Sequence, residues 1–469
     1  MHAASTHTSV RRAGDALCAP TFVFLIALVP YLTCFGAASA VNVEREFRRP
    51  AAAPKRPETF EALTLWPATF DAWYRDHFGM RSSFIRWHNL AKMELFDVSP
   101  SSEIVLGRDK WMFTTRDHAV DVFRGADPMP AREVGLWAQI LKERGEWCAQ
   151  RKIAYLFAIA PNKESIYPEQ FAPRFDVIGP TRREQVVDFS RTQADVPLLD
   201  LTDALLRAKR ELVQFGAVYY PYGTHWNDLG VSYANDELVR RLATLAPRIE
   251  PLAPQINPLP LDAMSFRWTD FQDDTWAGRL YVDDLYLQPN FDAQFTRRIP
   301  AEAWERLRVF KQRKNRTPEE DAKFEITPLD GEPQGWRITI TETRHVTTDI
   351  EGLDTPRVVM FHDSMGEKLQ PFFAESFAHV EFRWLPDFDA EYIERARPDI
   401  VVQLAVERTF AAVALSSSPL DTQERLAREF AASQQVVLSG AEALAGLAPQ
   451  QGSATTLAPG VGGALVANF

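Results

Sequence analysis

Val358-Val359-Met360-Phe361-His362-Asp363-Ser364-Met365-Gly366 is the stretch on which the fold turns. Four apolar residues in a row read as a strand buried on both faces, and Asp-Ser followed by a helical pattern reads as the start of a helix. A strand ending in a serine that opens a helix belongs to a sheet covered by helices. The surrounding chain repeats the pattern. Residues Glu133 to Arg151 read as a helix and Ile153 to Ala160 as a buried strand ending in Pro161-Asn162-Lys163. Val196 to Leu199 is a second strand followed by a helix from Thr202, and Leu229 to Leu245 is a further helix. Arg357 to Phe361, Val380 to Trp384 and Ile400 to Leu404 are strands with helices between them, and Val436-Val437-Leu438 is a late apolar strand. Strands alternating with helices predict an α/β fold with a mainly parallel sheet covered on both faces.

The chain has 469 residues, 46% of them hydrophobic and 25% charged, ample material for a core. A formal net charge of −11 argues against nucleic acid or an anionic membrane surface as the main partner. Residues 1–40 read as a targeting segment. Arg11 and Arg12 precede an apolar run from Ala16 to Ala40, which fits either a cleaved export signal ending in Ala38-Ser39-Ala40 or an N-terminal membrane anchor. In both cases the body of the chain is exported. Cys18 and Cys34 lie in this segment, so Cys148 stands alone in the body, and no cysteine or histidine spacing suits a metal.

Residues 41–59, with their prolines and arginines, read as an extended linker. The stretch 60–250 forms the first part of the α/β domain, beginning with a helical segment, Phe60 to Phe96, and a hairpin, Ile104 to Phe113, around Gly-Arg-Asp-Lys. Residues 251–355 are an insertion, a subdomain or loop set over the sheet, in which Trp336 to Thr341 alternates as a half-exposed strand. Residues 356–446 complete the domain, and 447–469 form a Gly- and Ala-rich flexible tail.

A second stretch, Tyr219-Tyr220-Pro221-Tyr222-Gly223-Thr224-His225-Trp226-Asn227, presents a histidine from a loop just before a helix. Ser364 and His225 together are the parts of a Ser-His nucleophile. In open α/β sheets ligands bind beyond the carboxyl ends of the strands, where Ser364 lies. A helix N-terminus beside it supplies amide groups for an oxyanion. Each residue also has a structural reading: Asp363-Ser364 as a helix cap, and His225 as a packed histidine beside Trp226. The acid that should hold the second ring nitrogen has no obvious occupant, because Gly223 stands where an aspartate is wanted. Asp228 lies on the helix side of the histidine, and Tyr222 or a backbone carbonyl would hold the ring more weakly. Asn162 falls in the loop after the first strand as either a second oxyanion donor or a turn former.

With these residues in view, the chain resembles the alginate O-acetyltransferase family, the AlgX/AlgJ-type SGNH-hydrolase-like proteins of polysaccharide-modifying systems. The resemblance rests on motifs in order over residues 60 to 415. They are Arg75-Asp76-His77-Phe78-Gly79-Met80-Arg81, the Gly107-to-Phe113 hairpin, Ala160-Pro161-Asn162-Lys163-Glu164-Ser165-Ile166-Tyr167-Pro168, Thr224-His225-Trp226-Asn227, His362-Asp363-Ser364 and Val406-Glu407-Arg408. It implies a three-layer α/β/α domain with permuted motif order, histidine before serine. Ser364 is then the acetyl-accepting nucleophile and His225 its base, without cofactor or metal. The chain departs from the family at Gly223, where the family's acid falls, and at His362, where a small residue often precedes Asp-Ser. The resemblance also implies a periplasmic location, a polysaccharide acceptor and a multi-pass membrane acyltransferase as acetyl source. Three functions follow: an exopolysaccharide O-acetyltransferase, a catalytically impaired sugar-binding or scaffold protein, or a carbohydrate acetylesterase.

Overall fold

The computed structural model describes residues 18, 20–24, 26–33, 35, 41–46, 48–249, 255–269, 275–313, 316–342 and 344–412. The expected strand at 436–438 and the tail from 447 lie outside the described residues, as does most of the 1–40 segment. Among the described residues no helix is long and apolar enough to cross a membrane.

After a short helical turn, Val43–Glu46, come two longer helices, α1 (Phe60–His77) and α2 (Arg81–Leu90), separated by Gly79 and by Met80, whose φ is positive. A single π-helical stretch, Ala91–Leu95, continues α2. Strands β1 (Ile104–Leu106) and β2 (Met112–Thr114) then pair antiparallel across the Gly-Arg-Asp-Lys turn. Helix α3 (Ala131–Ala149) leads to β3 (Ala154–Ala160), the short helix α4 (Lys163–Ile166), α5 (Arg182–Arg191), β4 (Leu198–Asp200), α6 (Thr202–Glu211) and α7 (Asp228–Ile249).

The insertion contributes the small antiparallel pair β5 (Ser265–Thr269) and β6 (Asn290–Gln294), then α8 (Ala301–Gln312) and the strands β7 (Lys323–Ile326), β8 (Trp336–Thr341) and β9 (His345–Ile350). The chain then runs through β10 (Arg357–His362), α9 (Ser364–Phe373), β11 (His379–Arg383), α10 (Ala390–Ala396) and β12 (Ile400–Val406).

The central sheet has eight strands in the order β4-β3-β12-β10-β11-β9-β8-β7. The five strands from β4 to β11 are parallel, and β9, β8 and β7 extend that sheet antiparallel. The sheet is therefore mixed. The last part of the insertion lengthens it edge-on, where a unit set over the sheet was expected. Trp336 to Thr341 does alternate, burying Trp336, Ile338 and Ile340.

Alternation along β3 shows how the sheet is covered. Leu156 and Ala158 enter one core with residues of α6, α7, α8 and α9, while Tyr155, Phe157 and Ile159 enter a second core with residues of α3, α5 and α10. Successive side chains of a strand point to opposite faces, so a sheet buried on both faces needs an apolar residue at every position. All seven residues of β3 and all seven of β12 are buried. The result is the three-layer α/β/α arrangement.

Chain order places the site. From β3 the chain moves to its neighbour on one side, β4, and from β10 to its neighbour on the other side, β11, with β12 filling the middle. Loops leaving the carboxyl ends of β3, β12 and β10 therefore diverge around one crevice.

Candidate active site

Ser364 is the first residue of α9, immediately beyond β10, and is half-buried. Asp363 before it is the helix cap: one carboxylate oxygen accepts the Met365 amide at 2.9 Å and the other accepts the Val406 amide at 2.7 Å. The second bond pins the start of α9 to the end of β12. Burial pushes the Asp363 carboxyl up from its ordinary value, against the two amides and the positive fields of Arg408 and His225. Asp363 is thus a positioning residue for Ser364.

His225 is carried by a tight turn. Tyr219 and Trp226 form an antiparallel bridge, the Tyr220 amide donates to the His225 carbonyl at 3.0 Å, and the Asn227 amide donates to the Val218 carbonyl. Asn227 then caps α7 through its side-chain oxygen, which accepts the Leu229 amide at 3.1 Å. A Cβ at Gly230 would stand 2.5 Å from the Val218 carbonyl oxygen, so only glycine lets this turn close onto the helix. Two further bonds fix the turn to the sheet edge. The Tyr219 hydroxyl donates to the Pro161 carbonyl at 2.6 Å, and the Trp226 indole donates to the Met365 carbonyl at 3.1 Å. The last contact joins the residue after His225 to the residue after Ser364.

Beneath the turn lies Lys163, 3% exposed. Its ammonium reaches the carbonyls of Met112 at 2.6 Å, Tyr220 and Pro221 at 3.0 Å, and Gly223 at 2.5 Å, over the ring of Phe113. A buried cation surrounded by carbonyl dipoles fixes a loop that has no regular structure of its own. The sequence places Lys163 in the loop after the first buried strand, next to Asn162, but gives it no role.

The His225 ring nitrogen Nδ1 lies 3.1 Å from the Thr224 hydroxyl. Neither residue named for that nitrogen takes the place. Asp228 is half-buried and its carboxylate accepts the Ala293 amide of β6 at 3.0 Å. Tyr222 turns its ring onto Tyr286, edge to face at 5.4 Å, and its main chain binds Gln288 and Trp276.

Asn162 lies beyond β3, 3% exposed. Its amide donates to Glu407 Oε2 at 2.9 Å and its side-chain oxygen faces Arg408 Nη1 at 3.4 Å. Its side-chain nitrogen has no hydrogen-bond partner among the described residues. A buried amide donor without an acceptor costs free energy unless something fills its place, which is what an oxyanion would do. Glu407 is buried and accepts Ser165 Oγ at 2.6 Å and Arg183 Nε at 3.1 Å, so the loop bearing Asn162 is held from below. Arg408 also reaches Asp117 at 3.2 Å.

His362 is a packed side chain. It is fully buried at the end of β10, its Nδ1 2.7 Å from the Asp363 carbonyl and its Nε2 3.3 Å from Gln370 Nε2, beside Phe382 and Trp384. Burial lowers its pKa to about 4, so it is neutral. Gly366 is small for its sake: a Cβ there would stand 2.4 Å from the His362 ring. Among the described residues no group of His, Cys, Asp or Glu is arranged to hold a metal.

Comparison with known proteins agrees with this architecture. Residues 104–257 match the family model described as the SGNH hydrolase-like domain of the acetyltransferase AlgX, a span that includes Asn162 and His225 and ends before Ser364. No curated protein matches the chain. Among solved structures, PatB1 of Bacillus cereus is 12% identical with a TM-score of 0.42, over 68% of this chain and 100% of that one. The O-acetyltransferase domain of Pseudomonas putida AlgJ is 14% identical with a TM-score of 0.38, over 68% and 96%. Pseudomonas aeruginosa AlgX is 12% identical with a TM-score of 0.33, over 65% and 61%. At such values these three carry no argument about chemistry. What the chain is similar to rests on the family match alone: residues 104–257 are similar to the SGNH hydrolase-like domain of the acetyltransferase AlgX.

Proposed function

We propose that the protein is an exported O-acetyltransferase that passes an acetyl group through Ser364 to hydroxyls of a polysaccharide. The observation that supports it best is the Trp226–Met365 hydrogen bond, which ties the His225 turn to the start of the Ser364 helix. Ser364 Oγ attacks the carbonyl of an acetyl ester while His225 takes its proton. The tetrahedral oxyanion is met by the amides at the start of α9 and by the Asn162 side chain, and collapse expels the donor alcohol with the proton from His225. A sugar hydroxyl then attacks the acetyl-serine by the same steps in reverse, leaving an acetylated sugar and free Ser364. Thr224 holds the imidazole in place of a carboxylate. The donor arrives from a multi-pass membrane acyltransferase, and the site works in the periplasm.

The sugar-binding or scaffold alternative is favoured by one observation, the missing acid at Gly223. Mass spectrometry of the protein after incubation with an activated acetyl ester separates the readings. The proposal expects an acetyl adduct on Ser364 that is lost in Ser364→Ala and strongly reduced in His225→Ala. Adduct that transfers to added polysaccharide marks a transferase, and adduct that only hydrolyses marks an acetylesterase. No adduct, with folded protein, overturns catalysis and leaves the binding role.

A further inference from the structure

The first half of α1 is exposed on nearly every side although its sequence, Phe60-Glu61-Ala62-Leu63-Thr64-Leu65-Trp66-Pro67-Ala68-Thr69-Phe70, holds a single charge. Phe60 is 82% exposed and Leu65 is 62% exposed. At roughly 100° per residue, Leu63 and Leu65 point about 160° apart, so the helix has no single apolar stripe to lay on the body. A helix that is apolar all round belongs in an apolar medium. The exposed apolar surface continues along α2 and its extension: Phe84, Trp87, Leu95 and Phe96 are exposed, the last two at 75% and 70%. A ladder of aromatic contacts, Trp66–Phe70–Tyr74–Phe78–Phe84–Trp87, with neighbouring centroids 5.1 to 6.2 Å apart, makes the two helices one surface.

What adjoins this surface is the apolar N-terminal segment. The Gly79 amide donates to Thr33 Oγ1 at 2.8 Å, and a Cβ on Gly79 would stand 2.5 Å from Leu32 Cβ. That segment carries its own exposed Phe22, Phe24, Ile26 and Tyr31. The opposite side of α2 is bolted to the body, through Asn89 to the Leu280 carbonyl at 2.9 Å and Arg86 to Asp284. One side of the helix pair is thus fixed and the other is open and continuous with an export segment.

We propose that the first half of α1, Phe60 to Phe70, and the outer edge of α2 through Phe96 lie in the surface of a lipid bilayer, as an interfacial hairpin beside the N-terminal segment. Tryptophan and phenylalanine are the side chains suited to that depth. With a net charge of −11 the attraction is apolar burial, and the exposed Arg49, Lys55 and Arg56 just before α1 give the hairpin a local basic flank toward headgroups. The occupant is lipid because the surface runs on into the apolar N-terminal segment, through Gly79 against Leu32 and Thr33. The proposal does not depend on the chemistry at Ser364.

The test uses the full chain in phosphatidylcholine vesicles that contain a diazirine-bearing phospholipid, with peptide mapping after irradiation. Adducts are expected on peptides covering 60–70 and 84–98 as well as on the N-terminal segment. The triple variant Leu63→Glu, Leu65→Glu, Trp87→Glu alters only exposed side chains, so it is expected to keep the parent's circular dichroism and thermal midpoint. It should lose hairpin adducts at least about fivefold while N-terminal adducts persist. Wild-type adducts confined to the N-terminal segment overturn the proposal. So does concentration-dependent self-association that shields the hairpin from lipid, which would make the occupant a second copy of the chain.

Discussion

Thr224 is the residue on which the catalytic reading is most exposed to test. Its hydroxyl is 3.1 Å from His225 Nδ1, where a triad would place a carboxylate. A neutral hydrogen bond of this kind is worth about 0.5–1.5 kcal/mol net, and at about 1.4 kcal/mol per decade its loss slows the reaction about 2- to 12-fold. A triad carboxylate is worth up to ~10⁴ in rate. Thr224→Val, which keeps the shape and removes the hydroxyl, should therefore slow Ser364 acetylation by several-fold, and Thr224→Ser should retain the parent rate. Gly223→Asp should raise the rate by at least about tenfold, since it supplies an acid beside the same ring. The ceiling will not be reached, because the Lys163 ammonium sits 2.5 Å from the Gly223 carbonyl and competes for the new carboxylate.

The assay is the pre-steady-state burst with p-nitrophenyl acetate, followed at several pH values, with the acetyl-serine quantified by mass spectrometry. Thr224 as an orienting group predicts a change in the rate of acetylation with the amplitude of the burst unchanged. Thr224→Val within 1.5-fold of the parent would show that the contact does not serve the reaction. A loss as deep as that of His225→Ala would show that Thr224 does more than hold a ring. Either result sinks the reasoning.

Three other outcomes follow from the site's surroundings. Burial raises the Glu164 carboxyl to about 7, and its Oε1 has no hydrogen-bond partner among the described residues. The folded state then holds the proton more tightly than the unfolded one, so this group costs stability as pH rises from about 4.5 to 7, of order 3 kcal/mol in full. Glu164→Gln should accordingly raise the thermal midpoint at pH 8 and leave it near the parent's at pH 4.5. Gly366→Ala forces a Cβ against the His362 ring and should destabilise the fold by about 1–3 kcal/mol in a urea titration. The penalty should shrink in a His362→Ala background, where the two changes couple. Lys163→Met strands the carbonyls of the His225 turn; it should destabilise by about 3 kcal/mol or more and lower acetylation beyond what the unfolded fraction explains.

Much of this site was legible because strands buried on both faces announce themselves. Val358 to Phe361 and Ile153 to Ala160 are runs without polar breaks, and a serine or an asparagine at the end of such a run has to lie at the sheet edge. The antiparallel extension was not legible as such. Trp336 to Thr341 shows its alternation, but alternation fixes a face and not a neighbour, so nothing in it says that β9 would pair with β11. The roles of Thr224 and Lys163 were not legible for a related reason. A threonine beside a histidine is ordinary in sequence, and a lysine after a strand reads as solvent-exposed. Their roles come from the turn at 219–226, whose shape depends on long-range contacts with Pro161, Met112 and Met365. His362 stands where a small residue often precedes Asp-Ser, and the sequence leaves its part open. The structure makes it a packing partner, balanced by the loss of a side chain at Gly366.

The same contacts connect the two proposals physically. Met93, in the extension of α2, shares a buried core with Ile104, Leu106 and Met112 of the β1–β2 hairpin and with Trp276 and Tyr286, and Tyr222 packs partly against it. The Met112 carbonyl accepts from Lys163, and the Met112 amide donates to the Pro221 carbonyl at 3.0 Å. The turn that carries His225 therefore rests on the layer of side chains that also backs α2. An α2 held at a bilayer would fix that turn close to the membrane surface. Acetyl groups delivered across a membrane as a reactive ester are lost to hydrolysis in proportion to the time spent in water, so a receiving serine gains most from a short path. In this chain α2 with its extension and the His225 turn meet in one core, so if both proposals hold, the distance between bilayer and Ser364 is set by the fold and not by a flexible tether.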